Sequence, residues 1–155
     1  MCPTSKKCSV PRSPLPPERL AFFVDRSLGY YLIPGKLREW GHEVHTIRSE
    51  FGARAEETLP DTAWLTRAGE QEWIVLTKDA RMRYRPAELQ AISDARLRVF
   101  CLASARLTGP EQAERIRRNL SRMVVRARCP GPWIDSVHDH TVVRMWPRPA
   151  GRAQT

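Results

Sequence analysis

At 155 residues with an ordinary 41% apolar share, the chain has room for one domain with a core of its own and too little for two. Its apolar runs, such as Leu20 to Val24 and Trp73 to Leu76, fall far short of a membrane span, and no apolar segment of secretory type follows Lys6 and Lys7. A net charge of +9, carried almost entirely by arginine, favours polyanions without choosing among RNA, DNA and an acidic protein, so a soluble cytoplasmic protein is the default expectation.

Residues 1–18 combine five prolines with Ser, Thr and Lys and show no periodicity, which predicts a disordered leader; Pro147 to Thr155 predicts a disordered tail. The domain is expected over residues 19–146. Leu20 to Val24 is wholly apolar, as a central parallel strand buried on both faces should be. Leu28 to Trp40 predicts a helix, restarted at Pro34 and stopped by Gly41. His42 to Ile47 alternates as a second strand, and Arg48 to Leu59 reads as a polar loop. Asp61 to Glu72 is a helix with Trp64, Leu65 and Ala68 on one side, and it leads into a strand over Trp73 to Thr77. Arg81 to Pro86 is a basic loop, Ala87 to Ala95 a short helix and Arg98 to Ala103 a fourth strand. Thr108-Gly-Pro-Glu111 is a capping box with Pro in the first turn. Ala113, Ile116, Leu120, Met123 and Ala127 then follow at helical spacing, opposite an exposed face of Arg115, Arg118, Arg122 and Arg126. Trp133 to Val137 and Thr141 to Trp146 are two strands around His138-Asp-His140, a hairpin added at one edge. Strands separated by helices predict an α/β fold, a mostly parallel sheet with right-handed crossovers.

Three aspartates stand out in this order of elements. Asp25 and Asp79 end apolar strands, and Asp61 opens the helix that feeds the second of them. Singly, each reads as a helix or loop cap. Together they are three carboxylates that can meet at the carboxyl edge of a sheet, where open α/β folds build their sites. Like charges gathered there require a cation or a proton between them. Oxygen donors of this kind suit Mg²⁺ or Mn²⁺, which could activate a water for attack on a phosphate.

The segments Phe23-Val-Asp25, Leu37-Arg-Glu-Trp-Gly-His42-Glu-Val44, Asp61-Thr-Ala-Trp-Leu65 and Ile74-Val-Leu-Thr-Lys-Asp79 resemble the PIN-like nucleases. The nearest branch is the VapC-type toxins of bacterial toxin–antitoxin pairs. The likeness spans roughly Leu20 to Ala103, and Thr77-Lys-Asp79 matches the family's hydroxyl-x-Asp strand ending. It implies a three-layer PIN-like fold and a Mg²⁺- or Mn²⁺-dependent endoribonuclease with Asp25, Asp61 and Asp79 as metal-holding catalytic acids. It further implies RNA as substrate, a cognate antitoxin as partner, and a homodimer or a toxin–antitoxin hetero-oligomer. The family usually adds a further acid, often Glu. Here Glu50, Glu56 and Glu57 occupy the intervening segment without a motif; Glu57 or Glu50 is the candidate for the added ligand, or the site runs on three carboxylates. A non-catalytic PIN-like module binding nucleic acid or protein is the rival from another class. A PIN-like nuclease processing DNA or structured RNA is the enzymatic rival.

Residues around the third acid support an RNA site. Arg81, Arg83 and Arg85 could hold phosphates, Tyr84 could stack on a base, and Thr77 and Lys78 flank the acid. The same loop could equally be a solvated surface. His138 and His140 are set below the aspartates because they fall in a turn. The five tryptophans are read as core or interface anchors. Cys101 is read as a small buried hydrophobe, and the cysteine spacing predicts neither a zinc site nor a disulfide framework.

Overall fold

Strand β1 (Ala21–Val24) sits near the middle of a single six-stranded sheet, between β2 (Glu43–Thr46) and β3 (Ile74–Thr77). Outward from β3 follow β4 (Arg98–Leu102), β5 (Trp133–Val137) and β6 (Val142–Trp146), giving the order β2-β1-β3-β4-β5-β6. All pairings are parallel except β5 with β6, which is the edge hairpin expected from the sequence. The computed structural model describes residues 19–104 and 106–149. The leader expected over 1–18 and most of the expected tail lie outside these residues.

The sheet is covered on both faces, which gives three layers. Phe22 and Val24 point to one side, with Leu76, Phe100 and Trp133. There they meet Ile33 and Leu37 of α1 (Leu32–Glu39) and Ile116 and Met123 of α6 (Gly109–Ala127). Phe23 and Val75 point to the other side with Val99. They are covered by Ile47 of α2 (Ile47–Phe51), Trp64 and Leu65 of α4 (Asp61–Glu70) and Ile92 of α5 (Pro86–Asp94). The runs of the central strands are apolar throughout because both of their faces are buried.

Between β2 and α4 the sequence reading needs correction. Residues 48–59 are not a plain loop, since α2 and α3 (Ala55–Thr58) occupy most of them. Thr46 caps α2 in a box closed by Ser49 instead of the usual Glu or Gln, so the signal was easy to miss. The expected basic loop is a 3₁₀ turn over Ala80–Tyr84. Another, Arg26–Leu28, follows β1. The capping box of Thr108 and Glu111 opens α6 as expected. Cys101 is free and buried, as expected, while Cys129 is disulfide-bonded. Among the described residues no helix is long and apolar enough to cross a membrane.

Helices α4 and α5 approach closely at Gly69. A Cβ built there would lie 2.3 Å from Cβ of Ala95, well inside contact distance. Gly69→Ala is therefore expected to cost about 2 kcal/mol in urea unfolding, and Ala95→Gly in the same chain should recover most of it. Equal stability of the single variant and the parent would contradict this packing.

Candidate active site

The sheet order creates one natural crevice. From β1 the chain leaves through α1 on one face, and from β3 through α5 on the other. The two connections part at the carboxyl ends of β1 and β3, the place where open α/β sheets bind ligands. Asp25 follows β1, and Asp79 lies two residues beyond β3.

Asp25 is buried, at 5% exposure. Its Oδ2 accepts hydrogen bonds from Ser27 Oγ at 2.7 Å and from Thr77 Oγ1 at 2.9 Å. Thr77 Oγ1 also accepts from the backbone N–H of Asp79 at 3.0 Å. One hydroxyl thus ties the two acidic strand ends together, which gives the hydroxyl-x-Asp spacing its physical meaning. Burial raises the Asp25 carboxyl above its ordinary value. The bonds from Ser27 and Thr77 oppose that rise, the charge of Asp61 adds to it, and Arg26 opposes it.

Asp61 lies in the first turn of α4 and caps nothing, since Pro60 is the N-cap residue. Its Oδ1 accepts from Trp64 Nε1 at 2.9 Å and from Arg26 Nη2 at 3.3 Å. Trp64 is fully buried and stacks on Phe23 of β1, with ring centroids 5.1 Å apart. The core therefore fixes this carboxylate relative to β1. Arg26 also donates to the carbonyls of Glu56 and Leu59, which anchors the chain between α3 and α4 beside Asp25.

Asp79 accepts from the Arg81 backbone N–H at 3.1 Å, the capping role expected of it as a single residue. Its other oxygen accepts from Arg85 Nη1 at 2.8 Å. The same nitrogen donates to Glu88 at 3.1 Å and lies 4.0 Å from Oδ2 of Asp61. Glu88 passed unnoticed in the sequence because an acid in the first turn of a helix needs no special explanation. Yet it is only 8% exposed. Burial raises its carboxyl, Arg85 opposes the rise, and the charges of Asp61 and Asp79 add to it, so it belongs to the same electrostatic group.

The other candidate acids lie elsewhere. Glu57 is exposed on α3, and no hydrogen bond or ion pair among the described residues joins it to the aspartates. Glu56 pairs with Arg48, and Glu50 lies against His45 and Arg67. As placed, no three acidic, histidine or cysteine side chains among the described residues are gathered closely enough to hold one ion. Arg26 and Arg85 supply the positive charge between the carboxylates instead. In kind, carboxylates with serine and threonine hydroxyls beside them fit a hard divalent ion.

The basic residues divide into two groups. Lys78, Arg81 and Tyr84 are exposed, Tyr84 at 69%, and the Arg83 guanidinium lies 4.5 Å over the Tyr84 ring. Thr77 is fully buried, so its hydroxyl serves Asp25 and Asp79 and cannot touch a bound strand. Beyond Lys78 a cleft of about 580 Å³ runs along the ends of β4 and β5, lined by Cys101, Ser104, Arg115 and Ser136 among others. Arg115 brings the arginine face of α6 to this edge. That face is less free than expected, because Arg118 pairs with Asp139 and Arg126 with Asp135. A hollow of about 680 Å³ between α4 and α5 is larger but is lined by none of the three aspartates. Burial pushes the Cys101 thiol up to about 12, with the charge of Asp79 adding to it, as suits a buried hydrophobe. His138 and His140 flank the β5–β6 turn.

Residues 20–104 match a family described as "PIN like domain". A curated protein of Mycobacterium tuberculosis, named "Putative ribonuclease VapC45", is 34% identical over 123 residues, covering 79% of this chain and 89% of that protein. No solved structure gives a significant match.

Proposed function

Because the chain belongs to the PIN-like domain family, we propose that it is a divalent-metal-dependent endoribonuclease of the VapC type. The observation that carries this reading is the tie between Asp25 and Asp79 through Thr77, with Asp61 held on the same crevice by Trp64 and Arg26. Asp25, Asp61 and Asp79 would hold Mg²⁺ or Mn²⁺. Such an ion, when bound, neutralises charge on the phosphate and lowers the pKa of a water.

The chain's own residues do the rest. Ser27 and Thr77 keep Oδ2 of Asp25 engaged and so fix the direction in which this carboxylate faces. The core position of Trp64 does the same for Asp61. Lys78, Arg81, Arg83 and Arg85 would meet phosphates at and beside the cut, and the exposed Tyr84 ring would stack on an unpaired base, a contact worth about 1–3 kcal/mol per base. The cleft lined by Arg115 and Ser104 would carry the strand onward. An unpaired strand suits this surface better than a duplex, since a stacking ring needs a splayed base. The resemblance to VapC-type toxins supports a toxin role in the cytoplasm, with an antitoxin protein as partner and a homodimer or hetero-oligomer as the working state.

Incubation of purified protein with single-stranded RNA and Mn²⁺ is expected to give internal cleavage that EDTA stops. Binding of RNA without cleavage would favour a non-catalytic module. Cleavage of DNA alone would move the substrate class.

A further inference from the structure

Arg85 and Glu88 form a pair that the roles assigned above leave half explained. Arg85 is the N-cap residue of α5, and Pro86 starts the helix, so Glu88 is its third residue. Side chains on a helix tilt toward its N-terminus, and the Glu88 carboxylate accordingly reaches back over the first turn into the crevice. There, among the described residues, its hydrogen-bond partner is Arg85, at 3.1 and 3.4 Å. A surface pair spaced i, i+3 would need no comment, but Glu88 is buried, and a buried charge is costly without a task. Arg85 Nη1 also bonds Asp79 at 2.8 Å and lies 4.0 Å from Asp61. One nitrogen therefore serves three carboxylates from three elements, two of which the reading above gives to a metal ion.

We propose that Glu88 is a positioning residue that holds Arg85 ready to exchange places with a divalent ion. The inference rests on the metal-nuclease reading. A guanidinium and a divalent ion cannot share Asp61 and Asp79 closely, because like charges repel. With the ion on the aspartates, Glu88 is the acid left to Arg85, and it keeps the guanidinium at the rim of the crevice. There the planar fork of Arg85 meets an oxygen of the phosphate under attack. Without Glu88, Arg85 would have the two aspartates as its acidic partners and would compete with the ion for them.

The test is Mn²⁺ binding by calorimetry, with cleavage measured at saturating Mn²⁺. Arg85→Ala is expected to tighten Mn²⁺ binding about 5-fold and to lower kcat by about 10-fold or more. Arg85→Lys, which keeps the charge, should leave the Mn²⁺ affinity near that of the parent. Glu88→Gln, nearly isosteric, is expected to weaken Mn²⁺ binding about 5-fold in the parent chain and less than about 2-fold in the Arg85→Ala background. Equal weakening in both backgrounds would make Glu88 a direct ligand and overturn the proposal. Unchanged affinity in both single variants would reduce the pair to a structural contact and also overturn it. A parent protein that binds no Mn²⁺ would instead refute the metal-nuclease reading itself.

Discussion

Asp25→Asn is expected to abolish cleavage and stabilise the fold at the same time. The loss of Mn²⁺-dependent RNA cleavage should be at least about 1,000-fold, roughly 4 kcal/mol of barrier. Asparagine keeps an oxygen for Ser27 and Thr77 but removes the charge offered to an ion. The stability change has the opposite sign. Burial holds the Asp25 carboxyl above its ordinary value, so the folded chain binds this proton more tightly than the unfolded chain. Stability at this site is then fullest below the unfolded value of 3.8 and falls as pH rises through the folded value. Asparagine removes that loss. Unfolding in urea with EDTA present should therefore show a gain in stability near neutral pH that shrinks to nothing in acid. Asp79→Asn should lose cleavage to a similar extent without the gain, because Asp79 is ion-paired with Arg85. Cleavage that survives in either variant would remove the catalytic role. Cleavage lost together with stability in Asp25→Asn would mean that the residue serves the fold.

The largest loss of stability is expected from Asp135, far from this chemistry. It is fully buried in β5, and its two oxygens each accept from an arginine Nε at 2.6 Å, Arg126 of α6 and Arg144 of β6. Arg144 is its cross-strand partner, nearly buried, and its guanidinium lies 5.7 Å from the Trp133 ring centroid. One carboxylate thus pins α6 and the edge strand to β5. Asp135→Ala would leave Arg144 charged, buried and without its counter-ion, at a cost of about 3–5 kcal/mol in urea unfolding. A loss below about 1 kcal/mol would show that water replaces the carboxylate and that the clamp matters little.

Much of the scaffold was legible in the sequence. Strands buried on both faces are apolar at every position, so Phe22 to Val24 and Ile74 to Leu76 announced themselves, and the box of Thr108 and Glu111 marked the start of α6. The crevice was legible too, because strand ends and helix starts are local features and Asp25, Asp61 and Asp79 sit on them. Short helices were not. In α2 a serine closes the capping box, and α3 is a single turn, too short for a periodic pattern. Asp135 was hidden inside what read as an ordinary strand, since a buried acid is recognisable only once its arginines are seen.

The alternation of elements and the acids at their ends are set by neighbours along the chain, and both can be read from the residues alone. Which charges share a partner is settled instead by the folded arrangement. Arg85 reads as one more basic residue after Asp79 and Glu88 as a helix-start acid. The 3₁₀ turn over Ala80–Tyr84 folds Arg85 and Glu88 back onto Asp79, and the packing of α4 against α5 brings Asp61 to 4.0 Å from the same guanidinium. Hydrophobic patterning is visible along the chain, whereas a shared guanidinium depends on how a turn folds back and how two helices pack.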